Sequence, residues 1–81
     1  MEVHVTPRGQ KYSLTRHASI RMSQRNVNHE HIEYVLDNHE TPYRDHRGNS
    51  CCECNLVDGR RIRAIVADSE TIYKIITVIV L

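Results

Sequence analysis

One helix-forming segment combines a titratable imidazole with permanent cations. Residues 16–25 read Arg-His-Ala-Ser-Ile-Arg-Met-Ser-Gln-Arg. Side chains three or four residues apart are neighbours on a helix, so His17, Arg21 and Arg25 follow one another along one side of it. An imidazole beside two guanidinium groups is poorly suited to a neutral core. It is well suited to contact with a phosphate.

The chemistry that this arrangement favours is cleavage of RNA without a metal ion. Such a reaction needs a base for the 2′-hydroxyl proton, cations for the charge of the pentacovalent phosphate, and an acid for the leaving oxygen. His17 is the candidate acid–base group, because an imidazole gains and loses a proton near neutral pH. The alternative for this residue is a structural histidine that packs at a sheet edge and bonds one backbone carbonyl.

A second cationic cluster follows the Asp-Gly dipeptide at 58–59, which is a strong signal for a hairpin turn. In the strand after this turn, Arg61 and Arg63 point to one face, and the residues between them point to the other. The apolar side chains on that other face are Ile62, Ala64 and Val66. The arginines are either a phosphate-binding surface or charges that protect an exposed edge strand.

Three cysteines occur close together, at Cys51, Cys52 and Cys54. With His46 across the expected hairpin, Cys52 and Cys54 offer a zinc-binding alternative. Structural zinc sites usually contain two closely spaced ligand pairs, however, and the sequence has no second cysteine pair. We therefore expect buried free thiols, no metal site and no cofactor.

The composition limits the classes of protein to which the chain can belong. Its 81 residues are enough for a single domain over 1–81. A net charge of +1 argues against binding to nucleic acid through global charge, so any phosphate binding must be local. Nine arginines against two lysines either favour paired contacts with phosphate oxygens or reflect a bias in surface composition.

The sequence gives no sign of export or of membrane insertion. The first ten residues carry no apolar signal-peptide core, and the apolar segment 75–81 is far shorter than the roughly 20 residues of a membrane helix. The odd number of crowded cysteines does not resemble a disulfide framework. We expect a cytoplasmic protein with reduced thiols and no membrane partner.

Hydrophobic periodicity predicts two helices followed by a series of strands. The helices cover 14–25, with Ser13 or Thr15 as N-cap, and 28–38, with Asn28 as N-cap. Their buried faces are formed by Leu14, Ala18, Met22, Ile32, Val35 and Leu36. The candidate strands are 43–46, 51–56, 60–67 and 71–81, with a turn at 68–70. This order predicts an α+β fold in which two N-terminal helices pack on a three- to four-stranded antiparallel sheet, with 1–12 as an N-terminal arm.

The last candidate strand, 71–81, is apolar on both faces for most of its length. Such a strand is usually central in its sheet or is completed by another chain. We therefore expect either an internal position for this strand or a homodimer or partner complex that covers it.

Four motifs together resemble a family of small bacterial and archaeal domains of unassigned function. They are Thr-Arg-His-Ala-x-x-Arg-Met-x-x-Arg-Asn-Val at 15–27, Ile-x-x-Val-Leu at 32–36, Asp-Gly-Arg-Arg-Ile-Arg-Ala-Ile-Val at 58–66, and Ile-Thr-Val at 76–78. This family is similar to toxins of the RelE and BrnT type. The chain departs from it after Thr77, where Val-Ile-Val-Leu stands in place of an aromatic or polar residue.

The resemblance implies a RelE-like domain that cleaves RNA and is paired with an antitoxin. Its catalytic residues would be His17, Arg21, Arg63 and Thr77. Its RNA-phosphate contacts would come from Arg16, Arg25 and Arg61. We therefore expect a metal-independent endoribonuclease, the toxin of a toxin–antitoxin pair, with RNA and an antitoxin as partners. The alternatives are a non-catalytic interaction or regulatory module of the same fold and, on the cysteines alone, a zinc-dependent regulator.

Overall fold

The computed structural model describes residues 2–67 and 71–81, so the turn predicted at 68–70 lies outside the described residues. Within these residues the helices are α1 (Arg16–Gln24) and α2 (His29–Asn38). The strands are β1 (His4–Val5), β2 (Lys11–Leu14), β3 (Tyr43–Arg44), β4 (Ser50–Asn55), β5 (Arg61–Ala67) and β6 (Tyr73–Val80).

These strands form one mixed sheet in the order β1-β2-β6-β5-β4-β3. The pairing of β2 with β6 is parallel, and the other neighbouring pairs are antiparallel. The predicted RelE-like fold, with a three- to four-stranded antiparallel sheet and an arm over 1–12, is therefore wrong. The arm is part of the sheet, since it supplies β1 and the first half of β2. The four residues of β2 alternate in polarity, but the spacing of Leu14 with Ala18 assigns Leu14 to the helix, so the pattern does not reveal the strand.

Tyr12 explains why β2 belongs inside the domain. Its side chain is fully buried in the core. Its hydroxyl lies 2.7 Å from His29 Nδ1 and donates to Glu33 Oε2 at 2.6 Å, so its polar end is satisfied by α2. One buried aromatic ring therefore fixes the N-terminal strand pair to the second helix.

Helix α1 begins two residues later than the periodicity predicts. Leu14 is the last residue of β2 and pairs with Ile75, so it lies outside the helix. Of the two residues predicted as N-cap, Thr15 is the one that caps the helix. Its Oγ1 accepts a hydrogen bond from Ala18 N–H at 3.1 Å. After the helix, Asn26 adopts a left-handed conformation with φ of 55°, which reverses the chain toward α2.

Helix α2 agrees closely with its sequence pattern. Asn28 is the N-cap and shares reciprocal hydrogen bonds with His31, each 3.0 Å long. The predicted buried residues Ile32, Val35 and Leu36 are all buried. The apolar face of α2 therefore packs on the sheet as expected.

Both helices lie on one face of the sheet, α1 beside β6 and β2, and α2 beside β4 and β5. The core between them contains Ala18, Met22, Ile32, Val35, Leu36, Cys52, Cys54, Ile62, Ala64, Val66, Ile75 and Val78. Strand alternation places the remaining strand residues on a helix-free side, here called the open face. It carries Tyr43, Cys51, Glu53, Asn55, Arg61, Arg63, Ile65, Thr77 and Ile79. The prediction that Arg61 and Arg63 point away from the core is confirmed.

The last strand is only partly internal. Its first three residues pair with β2 on one side, while β5 pairs along the other side. From Thr77 to Val80 the strand pairs with β5 alone, because β2 has already ended at Leu14. Half of β6 is therefore central, and half has a free edge.

The cysteines follow the alternation of β4. Cys52 and Cys54 enter the core, and Cys51 lies on the open face. All three are free and buried. Among the described helices, neither is long and apolar enough to cross a membrane.

Candidate functional site

The candidate site with unneutralised charge is the α1 surface, formed by Arg16, His17, Arg21 and Arg25. Ala18 and Met22 are the buried residues of α1, and Arg25 is its C-cap. Arg16, His17 and Arg25 are exposed, and Arg21 is half-buried. The structure places His17 beside Arg21, as the helical spacing predicts.

His17 and Arg21 are in direct contact on this surface. Arg21 Nε donates to His17 Nε2 across 3.5 Å, at the long limit for a hydrogen bond. Its Nη1 donates to Gln24 Oε1 at 3.3 Å. In this contact the lone pair of Nε2 is the acceptor, so Nε2 can take a proton from a substrate hydroxyl only after Arg21 has turned away from it.

The sequence around α1 carries basic residues and no acidic ones. From Val3 to His29 the sequence holds five Lys and Arg residues and neither Asp nor Glu. In the described part of the chain, Arg60, Arg61 and Arg63 each pair with a carboxylate, whereas Arg16, Arg21 and Arg25 form no ion pair. The α1 guanidinium groups are therefore available to an anion from outside.

The arginines of β5, unlike those of the α1 surface, are bound by carboxylates. Arg61 donates to Glu53 at 2.8 Å from Nε and to both oxygens of Glu40 from its Nη atoms, at 2.7 and 3.0 Å. Arg63 Nε donates to Glu53 at 3.1 Å, and Tyr43 donates its hydroxyl proton to the same carboxylate. These contacts occupy Arg61 almost completely and fix the position of Arg63.

The carboxylates that bind these arginines, Glu53 and Glu40, are held ionised. The pKa of Glu53 lies below its ordinary range, mainly because the Tyr43 hydroxyl donates to it, with Arg63 and Arg61 adding to the effect against burial. The Arg61 hydrogen bonds lower the pKa of Glu40 in the same way. A carboxylate stabilised as an anion by three donors is a weak base, so this cluster fits a structural role better than proton transfer.

The Asp-Gly-Arg turn connects the hairpin to the helix pair. Arg60 is clamped by Asp58, with Nε at 2.9 Å from Oδ2, and donates to the backbone carbonyls of Arg25 and Asn26. These carbonyls lie at the C-terminal end of α1, where backbone acceptors lack helical partners. The Asp-Gly-Arg motif, which is part of the family resemblance, therefore joins the hairpin to the end of α1.

The predicted catalytic residues fall into two groups on opposite sides of the sheet. His17 and Arg21 are together on α1, in the helical layer. Arg63 and Thr77 share the open face, where their strands β5 and β6 are paired. The structure does not bring the four side chains into a single constellation.

Sequence reasoning missed Tyr43, Glu40 and Glu53 as partners of the hairpin arginines. The available signal was the single charged residue in the Cys-Cys-Glu-Cys segment of β4, since hairpin register places Glu53 opposite Arg63. It also missed a second cluster, in which the His4 ring lies 4.5 Å from the His29 ring and 5.2 Å from that of Tyr12.

No group of three or more His, Cys, Asp or Glu side chains within residues 2–67 and 71–81 is arranged to hold a metal ion. The histidine cluster around Tyr12 is held by ring contacts and a hydrogen bond.

Taken together, the fold and the site define a small mixed α/β domain with a cationic helix surface. Residues 14–80 match the model of the domain of unknown function DUF4258, and the chain belongs to this family. Neither a curated protein nor a solved structure matches the chain.

Proposed function

We propose that this protein binds RNA through the α1 surface and cleaves it without a metal ion, as the toxin of a toxin–antitoxin pair. The observation that carries the proposal is the contrast between the two arginine clusters. The hairpin arginines are neutralised by Glu53 and Glu40, while Arg16, Arg21 and Arg25 have no carboxylate partner among the described residues. Unneutralised guanidinium groups beside an imidazole fit a phosphodiester.

In the proposed reaction, Arg21 turns from His17 to the phosphate, and the freed His17 Nε2 takes the proton of a ribose 2′-hydroxyl. The 2′-oxygen then attacks the adjacent phosphorus, and the bond from phosphorus to the 5′-oxygen breaks. The leaving oxygen takes its proton from His17 or from water, and the product carries a 2′,3′-cyclic phosphate. Arg21, which already contacts His17, and Arg16 stabilise the added negative charge of the pentacovalent phosphate. Arg63 and Thr77 take no part in this step, because the sheet lies between them and α1.

The test is an RNA cleavage assay with the wild-type protein and His17→Ala. If His17 is the acid–base group, the variant cleaves about 10²–10⁴-fold more slowly while its circular dichroism spectrum is unchanged. His46→Ala is the matched control, because His46 is an exposed histidine in the turn between β3 and β4. DNA of the same sequence resists cleavage, because it lacks the attacking hydroxyl, and EDTA leaves the rate unchanged.

Two results would refute this mechanism. Full-rate cleavage by His17→Ala would remove His17 from the reaction, and a wild-type protein that cuts no RNA would leave a binding role. The second candidate function is a non-catalytic interaction module. The observation that favours it is the free edge of β6, which suits pairing with another polypeptide.

A further inference from the structure

The free half of β6 has the backbone geometry of a strand-binding site. Thr77, Val78, Ile79 and Val80 pair with β5 on one side. On the other side, β2 ends at Leu14, opposite Ile75. No described strand continues β2 along these four residues, so the backbone groups that point to that side have no strand partner. An unpaired row of N–H and C=O groups is a template for an added strand.

This edge also lacks the features that usually prevent strand addition. Natural edge strands carry charged side chains or proline, or are very short, and these features block pairing with other chains. The other two edges of this sheet, β1 and β3, are each two residues long. The free half of β6, from Thr77 to Val80, has four residues with neither charge nor proline, and three of them are Val or Ile.

The charges beside this edge indicate the kind of strand that fits it. Thr15, the N-cap of α1, donates from Oγ1 to the backbone carbonyl of Ile76 at 2.9 Å. The helix therefore starts at the point where the free edge starts, and Arg16 and His17 are its first residues. A strand placed along Thr77–Val80 would run beside the unneutralised Arg16, so acidic side chains would complement it.

From these observations we infer that the free edge of β6 binds an extended acidic peptide segment of a partner protein by β-strand addition. Backbone hydrogen bonds to Thr77–Val80 supply the pairing, and β-branched side chains of the partner pack beside Ile79 and Val80. Its Asp and Glu residues contact Arg16 and the neighbouring groups of α1. A second copy of this chain fits less well, since it would bring two cationic α1 surfaces together.

This inference deepens the proposed function. It rests on that function for its regulatory consequence alone, and not for the binding of the peptide. A peptide that neutralises Arg16 and its neighbours would compete with RNA for the α1 surface. Peptide binding itself is measured in the absence of RNA. A protein that binds the peptide and cuts no RNA therefore contradicts the proposed function only, and the reverse result contradicts this inference only.

The test uses two fluorescein-labelled octapeptides, one with four Glu-Val repeats and one with four Lys-Val repeats. In fluorescence anisotropy we expect saturable binding of the Glu-Val peptide and none of the Lys-Val peptide. Arg16→Glu should weaken binding by about tenfold or more, as expected for reversal of a contacting charge. Arg47→Glu, the same change at an exposed turn residue between β3 and β4, should leave the affinity unchanged.

Two further measurements distinguish strand addition from simple charge attraction. Bound peptide should slow amide hydrogen exchange within Thr77–Val80, and N-methylation of alternate peptide residues should abolish binding. Equal binding of both octapeptides, an effect of Arg47→Glu as large as that of Arg16→Glu, or protection confined to another strand would overturn the inference. Light scattering that shows a stable homodimer through this edge would also overturn it, since the second copy would then be the occupant.

Discussion

Arg60 Nη1 donates a hydrogen bond to the backbone carbonyl of Asn26 at 3.0 Å, although the two residues are 34 positions apart. The same group bonds the carbonyl of Arg25 at 3.3 Å, and Asp58 holds the guanidinium from its other side. The turn between β4 and β5 thus closes the C-terminal end of α1. This contact ties the helix that carries the α1 surface to the centre of the sheet.

The first prediction concerns this contact. Arg60→Ala should lower the free energy of unfolding by about 0.5–1.5 kcal/mol, because it removes the hydrogen bonds to two exposed carbonyls at the end of α1. Arg60→Lys should recover only part of the loss, since an ammonium group lacks the planar fork of arginine. Urea denaturation measures both effects. Arg47→Ala is the control, and a loss at Arg60 no larger than that at Arg47 would contradict the proposed anchoring.

A second prediction tests whether the N-terminal residues belong to the sheet. Tyr12 is fully buried, so Tyr12→Ala should cost about 3–5 kcal/mol, in the range of large aromatic truncations in a core. Val5→Ala in β1 should cost far less, because Val5 is 55% exposed. Thermal or urea denaturation measures the difference. An equally small effect at both positions would support a loose arm.

The pH dependence of stability should report on Glu53. Its pKa in the folded protein is below the ordinary value of 4.5, first because of the Tyr43 hydroxyl and then because of Arg63 and Arg61. The unfolded chain therefore binds more protons in the window below pH 4.5. The stabilisation by Glu53 is complete above that pH and is lost as the pH falls through the lowered folded-state pKa.

Glu53→Gln should consequently be less stable than the wild type near neutral pH and should lose less stability on acidification. Urea denaturation at a series of pH values between about 7 and about 3 measures the two slopes. The expected sign is a steeper decline for the wild type. Parallel declines would show that ionised Glu53 does not stabilise the fold.

The sequence predicted the parts of this molecule that are governed by local rules. The N-cap at Asn28, the apolar face of α2 and the alternation that points Arg61 and Arg63 away from the core all follow from spacing within a few residues. Wrong expectations involved long-range pairing. The residues near Tyr12 do not indicate that β2 pairs in parallel with β6, because that contact joins residues about 60 positions apart. Strand β2 is also only a few residues long.

For the candidate site too, local relations could be predicted from the sequence and long-range contacts could not. The grouping of His17 with Arg21 is a helical neighbour relation, and spacing alone predicts it. Neutralisation of Arg61 depends on Glu40, 21 positions away, and on register with β4. Whether an arginine is free or paired is decided by the tertiary structure, so composition and spacing gave both clusters equal weight.

The most direct test of the account compares the two clusters in RNA binding. The affinity for a single-stranded RNA oligonucleotide is measured at several salt concentrations, and each lost phosphate contact lowers the slope of log K against log salt by about 0.7. The account predicts this reduction for Arg16→Ala and Arg21→Ala. It predicts an unchanged slope for Arg61→Ala, whose guanidinium is already bound by Glu40 and Glu53. A slope reduced by Arg61→Ala and unaffected by the α1 variants would contradict the account.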